Sequence, residues 1–165
     1  EGEYLYDVID DEEKDSSLRP NQVFVVSLPY SLLEPAQEKA VIDKIEEKLY
    51  TPVGLRSLSP EHEDYCGQYY GKRSIRDAAY HQGTVWAWLI GSYFEAYLKV
   101  NDFSRTVKNK VRQMYQPFAE QIECYGLGNI SEVFDGDFPH QPRGCYAQAW
   151  SVAELLRVYN KYLAE

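Results

Sequence analysis

The sequence predicts an all-α fold that forms about half of an (α/α)6 toroid. One reason is that helical segments apolar on most faces alternate with amphipathic segments, as in helical hairpins with buried inner helices and solvent-facing outer ones. A second is that the loops entering the apolar helices are rich in aromatic residues, amides and acids, as at the mouth of a barrel. A closed six-hairpin toroid needs about twelve helices, whereas this sequence predicts five main ones, alternating inner and outer.

The first third of the chain predicts one buried helix and one amphipathic helix. Residues 1–18 are acidic and are expected to form an irregular, solvated loop. Residues 19–28 predict a short apolar helix, with Pro20 in its first turn, where a missing N–H costs little, and Pro29 at its end. Residues 34–49 predict an amphipathic helix with one side in water.

The middle of the chain predicts a loop followed by a buried helix. Residues 51–75 contain several prolines and glycines and are expected to form one long loop, which in a compact domain is usually functional or disordered. Residues 83–100 are apolar almost all round. A helix without a polar face must be buried on several sides, so this segment is expected at the centre of the fold.

The last third of the chain completes the alternation of helices. Residues 103–124 predict an amphipathic helix that Pro117 kinks, and residues 147–163 predict the final apolar helix. The whole chain, 1–165, is therefore assigned to a single toroid domain as its C-terminal part. Since an open half-toroid exposes large apolar faces, we expect this chain to self-associate.

Composition and charge exclude several classes of function. The net charge of −9 argues against nucleic acid and against anionic membranes, and no apolar run approaches the roughly 18 residues of a membrane span. Aromatic residues reach 15 %, which fits either a core of large rings or a carbohydrate site in which rings stack on pyranose faces. Three widely spaced cysteines predict free thiols in a reducing cytoplasm. The three histidines lack the spacing of a metal site, so we expect no metal and no cofactor.

Glu132 is the strongest candidate for a catalytic group. It is a lone acid between apolar neighbours on a glycine-flanked segment, so the backbone places it rather than leaving it on a solvated face. As a general base it would take a proton from an attacking water. The structural alternative is a carboxylate that caps the next helix or pairs with Arg143. Asp135 and Asp137, in contrast, are expected to build a turn.

Several other residues are candidates for contacts with a sugar. Trp86 and Trp88 are expected on different faces of one helix, so at most one of them, taken here as Trp86, reaches the lumen. The structural alternative for both is a place in the core. The complete set of candidate sugar-binding residues is Arg56, Asp77, Tyr80, His81, Gln82, Trp86, Gln148 and Trp150. For Arg56 the alternative is a salt bridge within its loop, and for Asp77 it is a salt bridge or a helix cap.

Motifs along nearly the whole chain resemble the amylo-α-1,6-glucosidase domain of glycogen debranching enzymes of the bacterial and archaeal type. They are SLRPNQVFVVSLP (17–29), TPVGLRSLSP (51–60), YCGQYYG (65–71), RDAAYHQGTVWAWLIG (76–91), SEVFDGD (131–137) and GCYAQAWSVAELLR (144–157). The resemblance implies an (α/α)6 toroid that hydrolyses the α-1,6-linked glucose at a glycogen branch point, with inversion. It also implies that Glu132 is the general base and that glycogen or limit dextrin is the partner.

The same resemblance places the general acid upstream of the matched region. The chain opens on Glu1 and its one methionine is Met114, so we expect it to be a piece of a longer polypeptide. A base without its acid leaves the departing sugar unprotonated, and we therefore expect the isolated chain to have little or no glucosidase activity. The alternatives are a non-catalytic glucan-binding module and a structural half-barrel.

Overall fold

The computed structural model describes residues 2–164, and nearly half of the chain is helical. The helices are α1 (Val23–Ser27), α2 (Pro35–Lys48), α3 (Arg73–Ala79), α4 (Leu89–Lys99), α5 (Arg105–Met114), α6 (Gln116–Cys124) and α7 (Ala149–Val158). The strands are β1 (Val8–Asp10), β2 (Glu13–Asp15), β3 (Tyr50–Thr51), β4 (Gly54–Arg56), β5 (Val85–Trp86), β6 (Val133–Phe134) and β7 (Pro142–Arg143). The prediction of an all-α fold is therefore wrong, since a small antiparallel sheet accompanies the helices.

Helix α4 is the centre of the core. All its residues except Glu95 and Lys99 are buried, as the unbroken apolar pattern predicts. It packs against α1 on one side and α7 on the other, and these are the helices that the sequence also predicts to be apolar. Tyr93 and Phe94 are among the largest fully buried side chains of the domain.

The five-stranded sheet joins segments that are distant in sequence. Its order is β3-β4-β5-β6-β7, and every neighbouring pair is antiparallel. In the central strands Trp86 is paired with Leu55, and Val85 with Phe134. The sequence predicts a loop at 51–75 and a helix from residue 83. Both predictions are wrong where β4 and β5 lie, because strands of two or three residues are too short to show an alternating pattern.

Two predicted helices and the N-terminal segment also differ from the predictions. The kinked helix predicted for 103–124 is two helices, α5 and α6, which meet at Tyr115, with Pro117 in the first turn of α6. The helix α7 ends in a π-helical turn, Tyr159–Leu163. Residues 8–15 form an exposed hairpin of β1 and β2 instead of an irregular loop. No helix in the part of the chain described by the structure is both long and apolar enough to cross a membrane.

Candidate active site

The sheet brings four separate segments together around Glu132. Glu132 immediately precedes β6, and its backbone N–H donates to the carbonyl of Cys145, 2.8 Å away, just beyond β7. Tyr80 follows α3 and precedes β5, the strand paired with β6. Gln148 is the N-cap residue of α7, and its N–H donates to the carbonyl of Ile130 at 2.9 Å. The sheet and the start of α7 therefore fix the backbone on both sides of Glu132.

Three donors bind the carboxylate of Glu132. The Tyr80 hydroxyl donates to Oε1 at 2.7 Å, and the Gln148 side-chain amide donates to the same oxygen at 3.4 Å. The backbone N–H of Cys145 donates to Oε2 at 3.1 Å. Since a carboxylate has about four acceptor positions, Oε2 retains one for a further donor such as water.

Gly144 allows the chain to pass close to this carboxylate. Its φ of +65° lies in the left-handed region that favours glycine, and a Cβ added there would lie 2.5 Å from Oε2 of Glu132. Any side chain at this position would therefore displace Glu132 or move the N–H of Cys145 away from it.

The arginine that could have neutralised Glu132 binds a different acid. Arg143 donates from Nε and from a terminal nitrogen to Oδ2 of Asp135, at 3.0 and 2.8 Å. This hydrogen bonding raises the pKa of Arg143. The other oxygen of Asp135 accepts the backbone N–H of Tyr69 at 2.8 Å. Asp135 is thus a buried structural acid, and the alternative in which Glu132 pairs with Arg143 is not what the structure shows.

Glu132 faces a polar cavity of about 530 Å³. The residues that line it are Tyr69, Tyr70, Gly71, Arg76, Glu132, Arg143, Gly144 and Cys145. Glu132 is the one carboxylate among these described lining residues, and two arginines supply fixed positive charge. The cavity can therefore hold a polar, hydroxyl-bearing molecule beside a single proton acceptor.

A second cavity of about 360 Å³ has an aromatic wall. Trp88 stacks on Trp150 with ring centroids 5.2 Å apart and on Phe24 at 5.8 Å. Trp86 meets Trp150 edge-on at 6.2 Å. Both Trp86 and Trp88 line this cavity, and the prediction that they lie on different faces of one helix is wrong. It assumed one continuous helix, whereas Trp86 lies on β5 and Trp88 at the start of α4.

The segment from Tyr80 to Trp86 is held from both ends. The indole N–H of Trp86 donates to the carbonyl of Tyr80 at 3.0 Å, and the ring of His81 stacks on Trp86 at 5.1 Å. Arg19, which the sequence pattern does not single out as a site residue, donates to the carbonyl of His81 and to the side chain of Gln82, both at 2.7 Å. Burial and the charge of Arg19 lower the pKa of His81, so its ring is neutral at pH 7.

Arg56 and Asp77 lie outside this arrangement. Arg56 donates from Nε to the carbonyl of Gly136 at 2.9 Å and from a terminal nitrogen to the carbonyl of Lys48 at 3.3 Å, contacts that fix the loop after β6. Asp77 lies on the exposed helix α3 and faces Arg73 one turn earlier, at 3.5 Å. Neither residue lines either of the two cavities.

Comparison with known proteins places this chain in a family. The sequence model described as "Amylo-alpha-1,6-glucosidase" matches residues 1–157. A glycogen debranching enzyme of Saccharomyces cerevisiae is 32 % identical to the chain, over 88 % of this chain and 11 % of the yeast protein. The chain therefore spans about a tenth of the length of that relative. The match over nearly the whole chain shows that it belongs to the amylo-alpha-1,6-glucosidase family.

Proposed function

We propose that this chain supplies the general base and part of the sugar-binding wall of a glucosidase site. The site hydrolyses the α-1,6-linked glucose at branch points of glycogen or limit dextrin, with inversion. The observation that carries the proposal is the carboxylate of Glu132, which three donors orient towards a polar cavity. The family match and the yeast debranching enzyme support the choice of substrate.

The geometry around Glu132 fits the task of a general base. Its three partners donate hydrogen bonds, so they orient a carboxylate rather than a carboxylic acid. The free acceptor position on Oε2 binds the water whose oxygen attacks the anomeric carbon. Glu132 takes a proton from this water as the glycosidic bond breaks, and an acid on the opposite side of the sugar protonates the departing oxygen.

We propose that this acid comes from a part of the glucosidase domain outside the described residues. An inverting enzyme places its two carboxyl groups roughly 6.5–9.5 Å apart. Within residues 2–164, no second carboxylate lines the polar cavity with Glu132. The packing of α4 between α1 and α7 is compatible with three neighbouring inner helices of an (α/α)6 toroid, whose remaining helices would carry the acid. An isolated half of such a toroid would expose apolar faces, so the isolated chain is expected to self-associate.

We assign the aromatic cavity to the binding of glucose units. Trp88 and Trp150 present broad apolar faces of the kind that stack on pyranose rings, and Arg19 and Asn21 add polar groups at the edge. All three cysteines have free thiols, which supports a reducing compartment such as the cytoplasm.

Trp150→Ala is expected to weaken the binding of limit dextrin about tenfold, because it removes one half of the stacked pair with Trp88. Trp150 is 45 % exposed, so the fold should survive the change. Isothermal titration with dextrin measures the effect, and Tyr146→Ala, also exposed but outside both cavity linings, is the matched control. Equal affinities for the two variants would remove the aromatic cavity from the proposal.

The stereochemistry of the product tests the proposed reaction. A longer protein that contains this chain and the proposed acid is expected to release β-glucose first, because water attacks the face opposite the α-linkage. The isolated chain should release little or none. Proton NMR of the anomeric signal in the first minutes measures both. Initial release of α-glucose would contradict inversion, and dextrin binding without any hydrolysis in the longer protein would favour a non-catalytic glucan-binding module.

A further inference from the structure

We propose that Tyr80 is the positioning residue of Glu132: its hydroxyl fixes the carboxylate in the orientation in which the other carboxylate oxygen faces the cavity. The sequence pattern predicts a sugar contact for Tyr80, and the structure points to this different role. The inference rests on the proposed function in one respect only, namely that Glu132 is the base.

The hydrogen bond from Tyr80 is the shortest that the carboxylate of Glu132 receives. It measures 2.7 Å, against 3.1 Å from the N–H of Cys145 and 3.4 Å from the amide of Gln148. Tyr80 and Gln148 both bind Oε1, which leaves Oε2 with a single donor and room for water. Because Gln148 alone is at the limit of hydrogen-bond distance, loss of the Tyr80 hydroxyl would leave Oε1 weakly held.

The ring of Tyr80 is itself held in place by three other rings. Its centroid lies 5.4 Å from that of Tyr69, 4.7 Å from that of Trp86 and 4.8 Å from that of His81. Its carbonyl accepts the indole N–H of Trp86. Tyr69 lines the polar cavity, whereas Trp86 and His81 line the aromatic one, so Tyr80 stands between the two cavities. A group that is packed on several sides can fix the geometry of the flexible side chain that it binds.

The protonation state of Tyr80 suits this role. Burial, the hydrogen bond to Glu132 and the negative charge of that carboxylate all raise the pKa of Tyr80. The phenol therefore remains a donor across the pH range in which a glucosidase works. A donor of this kind binds the carboxylate through a charge-assisted hydrogen bond, so its removal should leave Oε1 free to move.

The test is carbon NMR of labelled glutamate in this chain at one fixed pH. In Tyr80→Phe the carboxyl-carbon signal of Glu132 is expected to shift, because the shortest hydrogen bond to Oε1 is lost. The control is Tyr69→Phe. It removes the same hydroxyl from a ring that packs on Tyr80, yet among residues 2–164 Tyr69 donates no hydrogen bond to Glu132. In this control the Glu132 signal should stay at its wild-type position.

An unchanged signal in Tyr80→Phe, or an equal shift in both variants, would overturn the inference. In the longer protein, kcat for glucose release is expected to fall about tenfold in Tyr80→Phe, while KM stays near the wild-type value. A purely structural role would raise KM as well. A shifted signal together with full glucosidase activity of Glu132→Gln would uphold the contact and refute the proposed function, so the two failures are distinguishable.

Discussion

Replacing Glu132 with glutamine in a longer protein that contains this chain is expected to lower glucose release from limit dextrin by about 10²–10⁴-fold. The amide has nearly the shape of the carboxylate and keeps an oxygen that can accept the hydrogen bond from Tyr80. It cannot take a proton from water, so the proposed attack on the anomeric carbon would lose its base. The measurement is kcat for glucose release at fixed pH.

Two comparisons make this result specific. Dextrin should bind Glu132→Gln with nearly wild-type affinity, because the proposed sugar platform of Trp88 and Trp150 lies in the other cavity. Glu63→Gln removes an equal charge from an exposed position and should leave kcat unchanged. Retention of glucose release by Glu132→Gln would exclude Glu132 as the base. A loss of both binding and hydrolysis would instead indicate that the substitution damages the fold.

Most helices of this domain could be predicted from the sequence because they carry a long pattern. The helix α3 could not, because its seven residues, partly inside the predicted loop 51–75, are too few to show one. The apolar run of α4 predicts a helix buried on several sides, and the structure confirms it. The sheet could not be predicted, because strands such as Val85–Trp86 are stabilised by partners far along the chain and not by a local period. The prediction of a half-toroid from the alternation of helices remains a prediction.

The candidate site could be predicted only in part, for a similar reason. Glu132 has a local signal, a single acid among apolar neighbours. The contact between Glu132 and Tyr80 has none, because the two residues are 52 positions apart and meet only through β5 and β6. The same holds for Arg143, which is near two acids in sequence and binds Asp135 because the β6–β7 pairing places them together.

Among changes near the site, loss of the ion pair between Asp135 and Arg143 is expected to lower the stability of the fold most. Asp135→Ala should lower the free energy of unfolding of this chain by about 2–3 kcal/mol. The carboxylate is almost fully buried, and its removal leaves the N–H of Tyr69 without its acceptor. Arg143 also loses the one oxygen that accepts both of its hydrogen bonds, but it is partly exposed and can turn to water, which limits the cost. Urea unfolding followed by fluorescence measures the change.

The neighbouring acid provides the control for this prediction. Asp137 lies in the same loop and is exposed. Among the side-chain donors described, only the hydroxyl of Tyr65 donates to it. Asp137→Ala should therefore lower the free energy of unfolding by less than about 1 kcal/mol. Asp135→Asn should fall between the two, because an amide oxygen can still accept from Tyr69 but offers Arg143 no charge. Equal costs for Asp135→Ala and Asp137→Ala would show that the buried ion pair does not hold this loop. In that case the backbone pairing of β6 with β7, rather than Asp135, would be what places Cys145 beside Glu132.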